Sequence, residues 1–518
     1  MTTLPAAAES DLDRRLRLAV LLVLLVALTA AVLKIIDYGF VPPDDALRHA
    51  ATAVGDRPYH EVLLFDEAIP AEDSTPGWHA VLRTVHRATG FDQYALVSLS
   101  IVFFFGVFTI TPLFLLKRPE AWGVVLMLAI VANPGMAYRL ALGRPFLLSA
   151  TAVMVLVLIW QRLVDDPRSR PALLACVAVA MITTWLHSTW FLVYAAPFAA
   201  VVTGHRRAAF AMLGAVTVGV VLGAALTLQP WSHLTYNVLH VFKTMGTTPG
   251  HLRVSELQPS YGEASYVVWM AILMLGWATL PELRALTLRH AGVTTALAGW
   301  VLAFTANRFW SDIGLPALLA LSALLLERVL QARLPARSGT RGVLVAAVAA
   351  ALFLSITSNL VRRWESSPLP QVIRLADEEV GDEWLPGDGG IVYSTEMRIF
   401  YSMYLIWPDA RWNYVLGLEQ GIMPRADLAV LHDFKETGSW DSLQPWVDAL
   451  RPEDRIIVSA EGRDLPEWEG TISEELPYRV VVVRRADGQP AEPSAPASDA
   501  VAADSAAAAP YADGGTIR

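Results

Sequence analysis

Two adjacent carboxylates, Asp44 and Asp45, follow the first long apolar run of the sequence and stand directly before a helix-forming stretch. A carboxylate beside a hydroxyl group can accept its proton as the oxygen attacks an electrophile, so this pair predicts general-base chemistry. The same residues would also suit the cap and first turn of the helix that follows. Because acidic groups next to an apolar layer are costly to hold and tend to be functional, a catalytic role for at least one of them is the alternative to this capping role.

Other polar residues in the same parts of the chain are weaker candidates. We predict that His79, on a second helical stretch, and Glu256, in a later polar segment, contact a substrate. Glu72 and Asp73 are explained as ordinary polar residues before a helix start. His187 is interpreted as an interfacial residue at a tight turn.

The composition places these residues on a membrane protein. Of 518 residues, 54% are hydrophobic and only 17% are charged, whereas soluble domains carry fewer apolar and more charged residues. The net charge of -9 and the short, scattered basic clusters exclude a nucleic-acid binder that works by phosphate neutralisation. The single cysteine, Cys176, excludes an intrachain disulfide and a cysteine-based metal site.

Eleven apolar runs predict an α-helical polytopic membrane protein with about 11 transmembrane helices. The runs lie at 17–36, 95–116, 120–138, 145–161, 171–187, 188–203, 208–228, 264–281, 290–306, 311–327 and 342–361. The stretch 171–203 is short for two crossings, since each needs roughly 20 residues. One long span is the alternative, but basic residues on both sides of this stretch favour two short helices.

Basic clusters recur at every second connection between the runs, which predicts a cytoplasmic N-terminus in the cell membrane. Residues 1–361 then form the transmembrane domain. Three polar segments lie outside the cytoplasm: 37–94, 229–263 and everything after 362.

The first of these segments, 37–94, is too long for a simple connection and predicts two helices. One runs from about Asp45 to Val54, and one begins at Thr75-Pro76 and ends at Gly90. The second helix has an apolar stripe that would lie on the membrane surface. The apolar stripe consists of Trp78, Val81, Leu82 and Val85. The opposite, polar face consists of His79, Arg83, His86 and Arg87.

The composition changes after Arg362 and predicts a small extracytoplasmic α/β domain at 362–485. Short strands are predicted at 390–394, 428–431, 455–458 and 478–483, with helices at 368–381 and 440–450. Residues 486–518 are rich in alanine, proline, serine and aspartate without periodicity, which predicts a disordered tail.

Two strings in the first outer segment, Pro43 to Ala50 (PDDALRHA) and Ser74 to His79 (STPGWH), carry a family resemblance. They resemble the first outer loop of GT-C glycosyltransferases of the protein-mannosyltransferase and aminoarabinose-transferase type. Asp44-Asp45 corresponds to the acidic pair of that loop, and the resemblance implies that at least one of the two is the catalytic base. Asn307-Arg308-Phe309-Trp310, followed by Pro316, resembles the arginine-aromatic segment of the same superfamily. The resemblance covers roughly residues 17–330.

The resemblance implies transfer of a sugar from a polyprenyl-phosphate-linked donor to an acceptor glycan, lipid or protein at the outer face of the membrane. The departing lipid phosphate needs cationic stabilisation. Arg308, Arg139 and Arg144 lie on the outer side, against the orientation rule, and we assign them to the donor phosphate. The alternative is a salt bridge to Asp312 or a contact with lipid headgroups, which suits Arg139 and Arg144 equally well.

The sequence requires no cofactor. The first outer segment has no metal-ligand spacing, and Asp44-Asp45 cannot easily direct both side chains at one ion, so no metal site is assigned, although a divalent metal is compatible. The alternatives to a transferase are a transporter or flippase, a polysaccharide polymerase or ligase for cell-envelope glycans, and a scaffold that displays the C-terminal domain. The runs are free of mid-membrane charge, which favours chemistry at the surface over transport.

Overall fold

The computed structural model describes residues 11–37, 41–42, 44–58, 61–66, 73–247, 249, 253, 255–260, 271, 274–279, 290–333, 338–364, 382–417, 420–459, 464–476 and 480–486. Helices occupy ten of the eleven predicted runs, and the run 264–281 lies mostly outside the described residues. The prediction of a helical polytopic membrane protein with a small C-terminal sheet is confirmed.

The helices that precede residue 365 have the following bounds: α1 Asp11–Asp37, α2 Asp45–Val54, α3 Pro76–Thr89, α4 Gln93–Leu115, α5 Pro119–Ala132, α6 Pro134–Leu140, α7 Phe146–Asp165, α8 Arg170–Leu186, α9 Ala195–Val201, α10 Arg206–Leu226, α11 Pro230–Thr247, α12 Ala291–Ala303, α13 Asn307–Arg333 and α14 Ser338–Trp364. Within the described residues, six are long and apolar enough to cross a membrane: α1, α4, α7, α10, α13 and α14. Of these, α7 is the most buried and forms the centre of the bundle.

Small residues allow helices α8 and α10 to approach each other closely. A Cβ atom at Gly219 or Gly223 of α10 would lie 2.4 Å from a carbonyl oxygen of α8. This spacing of small residues is typical of helix pairs in membranes, where close backbone packing replaces the hydrophobic driving force. The stretch 171–203 forms two short helical segments, α8 and Trp190–Val201, with a turn at His187 between them.

A buried ionic cluster ties the loop before α5 to the adjoining ends of α13 and α14. Glu120 is fully buried between Arg118 and Arg341, and the Arg341 Nε atom lies 3.0 Å from its carboxylate. The backbone N–H of Arg118 donates to Glu327 at 2.7 Å. All four residues lie at the bundle end that the charge pattern predicts to be cytoplasmic.

The first outer segment folds as predicted at α2 and α3, with one exception. Helix α3 ends at Gly90, whose φ of 73° favours glycine. Trp78 packs against Phe103 and Phe104 of α4, so the predicted apolar face is buried. His79, which was predicted on the polar face, is nevertheless buried, because α8 covers this end of α3 and leaves His79 only 1% exposed.

The C-terminal region contains a five-stranded sheet in the order β2-β1-β3-β5-β4. Its strands are β1 Ile391–Tyr393, β2 Asn413–Tyr414, β3 Arg455–Ser459, β4 Thr471–Leu476 and β5 Val480–Arg485. The first three are parallel, and β5 is antiparallel to both β3 and β4. Helices α15 Met397–Ile406, α16 Arg425–Thr437 and α17 Gln444–Ala449 accompany them.

Several predictions for this region can be compared with the structure. The predicted strand at 428–431 is wrong: these residues belong to α16, which buries Val430, Leu431 and Phe434 on one helical face. The helix predicted at 440–450 is confirmed as a 3₁₀ turn followed by α17. The predicted helix at 368–381 and the tail after Ala486 lie outside the described residues.

The C-terminal region is joined to the first outer segment by backbone hydrogen bonds. Leu64 donates to the carbonyl of Tyr414 at 2.9 Å, and Tyr414 donates to the carbonyl of Val62 at 2.9 Å, so the segment extends the edge of the sheet beyond β2. Arg57 also donates to the carbonyl of Trp412. Helix α15 packs against α2 and is therefore held beside Asp45.

Candidate active site

The predicted carboxylate pair lies at the start of α2. Asp44 is the N-cap residue, and its side chain accepts a hydrogen bond from the backbone N–H of Asp45 at 2.7 Å. A carboxylate oxygen of each residue also lies 3.4 Å from a terminal nitrogen of the Arg144 guanidinium. The capping interpretation is therefore confirmed, and it does not exclude a chemical role for the same side chain.

Arg144 lies in the turn between α6 and α7 and contacts three carboxylates. Besides Asp44 and Asp45, it donates to Glu256 at 2.7 Å from the 3₁₀ turn Ser255–Leu257. The planar guanidinium offers five N–H donors in fixed directions, which suits several acceptors at once. The structure thus brings together residues from three separate segments of the chain.

Arg139 and Arg308 meet at Asp312, as the salt-bridge alternative anticipated. The Arg308 Nε atom lies 3.1 Å from Asp312, and an Arg139 nitrogen lies 3.4 Å from it. Arg139 also lies 3.9 Å from Glu256. Asp312 is 1% exposed and belongs to a π-helical turn, Trp310–Gly314, a distortion frequently found at functional sites.

Two cavities adjoin this set of charges. The first, which we call the arginine cavity, contains about 690 Å³ of empty space, including space that is open to solvent. Its wall includes three guanidiniums, one carboxylate and two imidazoles: Arg48, Arg144, Arg308, Asp45, His49 and His187. Cations outnumber the carboxylate there, so the arginine cavity favours an anionic ligand.

The second cavity, which we call the mixed cavity, contains about 1260 Å³ of empty space, including space that is open to solvent. Its polar end contains Asp44, Arg139, Glu256 and Arg398. The remaining wall is largely apolar and includes Phe108, Met136, Leu147, Leu315 and Pro316. Asp44 and Asp45 therefore face different cavities, with Arg144 between their carboxylates.

The two adjacent carboxylates also differ in acidity. Burial raises the pKa of Asp44 to about 6, and Asp45 and Glu256 oppose its ionisation further, although Arg144 works against them. Burial also disfavours ionised Asp45, but Arg48 and Arg144 outweigh burial and lower its pKa. The arginines likewise lower the pKa of Glu256, against burial. Neighbouring carboxylates with separated pKa values suit different roles in proton transfer.

Sequence reasoning missed several residues of this site. Arg48 donates to Asp45 at 3.1 Å, and its i, i+3 spacing from Asp45 on one helix was a usable signal. His49 lies next to it in the wall of the arginine cavity, whereas His79 lies behind His49 rather than in that wall. Arg398 belongs to α15, and nothing in its local sequence predicts that it lines the mixed cavity.

Within the part of the chain that the structure describes, no group of three or more His, Cys, Asp or Glu side chains could hold a metal ion. The carboxylates of the site instead face guanidiniums. The negative charge at this end of the bundle is therefore balanced by arginine side chains.

The arrangement of membrane-capable helices with a small α/β region at the C-terminal end matches the fold of a solved structure. One solved structure with this fold is ArnT from Cupriavidus metallidurans in the apo state, an aminoarabinose transferase. The match has a TM-score of 0.53 at 14% sequence identity and covers 89% of this chain and 97% of ArnT. No protein-family model and no curated protein matches the sequence. The predicted resemblance is confirmed at the level of the fold.

Proposed function

We propose that the protein is a membrane glycosyltransferase that moves a sugar from a polyprenyl-phosphate-linked donor to an acceptor glycan, lipid or protein on the outer face of the cell membrane. The observation that carries this proposal is the position of Arg144: it lies 3.4 Å from Asp44, a carboxylate with a raised pKa, and lines the arginine cavity together with Arg48 and Arg308. Sugar transfer needs both kinds of group, because a base must accept the acceptor proton while cations stabilise the departing phosphate.

In the proposed reaction, Asp44 accepts the proton of an acceptor hydroxyl group at the polar end of the mixed cavity. The hydroxyl oxygen forms a bond to the anomeric carbon as the bond from that carbon to the phosphate oxygen breaks. The electron pair goes to the phosphate, which Arg48, Arg144 and Arg308 stabilise in the arginine cavity. Guanidiniums balance the charge of the departing phosphate. The apolar wall of the mixed cavity suits a lipid acceptor whose hydroxyl group lies beside Asp44.

The predicted sidedness agrees with this proposal. Residues from separate predicted outer connections meet at the site, including Asp44, Arg144, Glu256 and Arg308. A transporter would instead need ionisable groups near the middle of its helices. The direct test is transfer of radiolabelled sugar from a polyprenyl phosphate to envelope acceptors in proteoliposomes that contain the purified protein; no transfer with any such donor would contradict the proposal.

The transfer rate is expected to increase as the pH rises through about 6. Below this pH Asp44 is protonated and cannot accept the acceptor proton, whereas above it the carboxylate is ionised. Single-turnover rates between pH 4.5 and 8 would measure this dependence. In Asp44→Glu, the rise of any residual transfer rate with pH should be centred at a different pH from that of the wild type. A rise at the wild-type pH would assign the titration to another group.

Labelling of single cysteines tests the proposed orientation. The only natural cysteine, Cys176, is buried, so introduced cysteines can be detected above a low background. Thr89→Cys and Glu436→Cys lie at exposed positions in the first outer segment and the C-terminal region, and both should react with an impermeant maleimide in intact cells. Gln161→Cys, exposed at the end of α7 that we expect to be cytoplasmic, should react only after permeabilisation. Protection of Glu436→Cys while Thr89→Cys reacts would contradict the proposed orientation.

Replacement of Arg308 tests the assignment to the donor phosphate. Arg308→Lys keeps a positive charge but loses the planar pair of donors, so we expect transfer to fall by about 10-fold, and further in Arg308→Ala. The exposed Arg168→Lys is the matched control. Wild-type turnover in Arg308→Ala would remove this residue from the mechanism.

A further inference from the structure

A chain of hydrogen bonds runs from the wall of the arginine cavity into the protein. A terminal nitrogen of Arg48 lies 3.3 Å from His49 Nε2, and His49 Nδ1 lies 2.8 Å from His79 Nε2. His79 Nδ1 lies 2.6 Å from a carboxylate oxygen of Asp73. Both histidines are only 1% exposed, whereas the Asp73 side chain is 27% exposed. Two buried imidazoles thus connect a carboxylate near the surface to a guanidinium in the site.

The two ends of the chain determine the direction of every hydrogen bond in it. A guanidinium can only donate, and an ionised carboxylate can only accept. His79 Nδ1–H therefore donates to Asp73, which leaves His79 Nε2 as the acceptor for His49 Nδ1–H. His49 Nε2 is then the acceptor that faces Arg48. With both imidazoles neutral, only this pair of tautomers satisfies all three contacts.

Asp73 is held in place to act as the acceptor. Its other carboxylate oxygen accepts the backbone N–H of Thr75, the N-cap residue of α3, at 2.9 Å. His79 and the Thr75 N–H lower the pKa of Asp73 despite its burial. A second contact, 3.4 Å from Thr75 Oγ1 to His49 Nδ1, lies beside the chain. Asp73 is therefore ionised at neutral pH and can serve as the acceptor at the end of this chain of hydrogen bonds.

A change at any link is transmitted to Arg48. If His79 carries its proton on Nε2 instead of Nδ1, it donates to His49 Nδ1, which must then be an acceptor. His49 must therefore carry its own proton on Nε2, and this N–H points at an N–H group of the Arg48 guanidinium. An added proton on either ring has the same result. Repulsion between these two donors would move the guanidinium that lies 3.1 Å from Asp45. Burial and the positive charges of Arg48 and Arg144 lower the pKa of His49 and oppose such protonation.

We propose that Asp73 and His79 are positioning residues that fix the tautomer of His49 and thereby hold Arg48 in the orientation that pairs with Asp45. His79 then acts through His49 and does not itself contact the substrate. The expected effect on catalysis rests on the proposed glycosyl transfer, whereas the tautomers and the orientation of Arg48 do not.

The catalytic test is a double-mutant cycle in the full-length protein. Asp73→Asn and His79→Gln should each lower the transfer rate by about 10-fold, the scale expected when a partner that orients a functional side chain is lost. In an Arg48→Lys background the same substitutions should cause little further loss, because they act through Arg48. His86→Gln, on the same helix, should retain the wild-type rate. Losses that multiply in the double variants would overturn the proposal.

A spectroscopic test separates this proposal from the proposed function. In protein labelled with ¹⁵N-histidine and ¹⁵N-arginine, solid-state NMR at neutral pH should show a protonated Nδ1 on both His49 and His79. Asp73→Asn should change both imidazole signals and the guanidinium signals of Arg48. This pattern in a protein without transferase activity would contradict the proposed function alone. A protonated Nε2 on neutral His79 in the wild type, or Arg48 signals unchanged by Asp73→Asn, would overturn the positioning role.

Discussion

Asp44→Asn is expected to lower the rate of sugar transfer by about 10²–10⁴-fold, the usual contribution of a general base, with protein abundance in the membrane unchanged. Asparagine caps helices as well as aspartate does, so the hydrogen bond to the Asp45 N–H can persist and α2 should remain folded. The amide cannot accept a proton, so the loss should appear in the single-turnover rate. Transfer by purified variants at matched concentration would measure it.

Asp45→Asn is the informative comparison, because Asp45 faces the arginine cavity and is held in its ionised form by Arg48 and Arg144. Its removal would leave these guanidiniums without a shared acceptor. We expect weaker donor binding and a smaller fall in the chemical rate than in Asp44→Asn. If Asp45→Asn abolishes single-turnover transfer while Asp44→Asn retains it, the base is Asp45 and the proposed roles must be exchanged.

Local sequence signals were sufficient to predict the helices of the first outer segment. Aspartate at the N-cap and Gly55 after Val54 delimit α2, and Thr75-Pro76 and Gly90 delimit α3. These signals act within a few residues and do not depend on the rest of the fold. The same signals could not show the burial of His79, since Gly77 and its neighbours meet Trp185 of α8, far away in the sequence.

The candidate site was only partly predictable for the same reason. Arg308 and Asp312 are four residues apart on one helix, so their salt bridge was visible in the sequence as an alternative. In contrast, Arg144 meets Glu256 only through the packing of the bundle, and α15 carries Arg398 into the mixed cavity from the C-terminal region. A short apolar run such as 428–431 is equally ambiguous, because helix and strand differ there only in the partners that bury it.

Arg144→Ala is expected to have the largest effect on stability among the variants of the site. The substitution leaves Asp44, Asp45 and Glu256 near one another without the guanidinium that they share. Removal of one partner from a mostly buried ionic group typically destabilises a protein by about 3–5 kcal/mol, because the remaining charges stay desolvated. Arg144→Lys should recover part of this loss, since a single ammonium cannot serve all three acceptors. Both variants should lack transfer activity.

The pH dependence of this destabilisation distinguishes lost electrostatics from lost packing. Without Arg144, burial and mutual repulsion should raise the pKa values of the three carboxyl groups in the folded state above their unfolded values. The folded state then binds more protons than the unfolded state, so stability should fall as the pH rises from about 4 towards neutrality. In the wild type only Asp44, with its raised pKa, contributes in this direction. The lowered pKa values of Asp45 and Glu256 have the opposite effect, because they give stability that is lost as the pH falls below about 4. Thermal unfolding in detergent at pH 5 and pH 8 would measure the trend in Arg144→Ala, and a further measurement at pH 3 would measure that of the wild type, with the exposed Arg168→Ala as control. A deficit in Arg144→Ala that is equal at the two pH values would indicate that Arg144 stabilises the fold through its packing, including its contact with the Phe146 ring, and not through the three carboxylates.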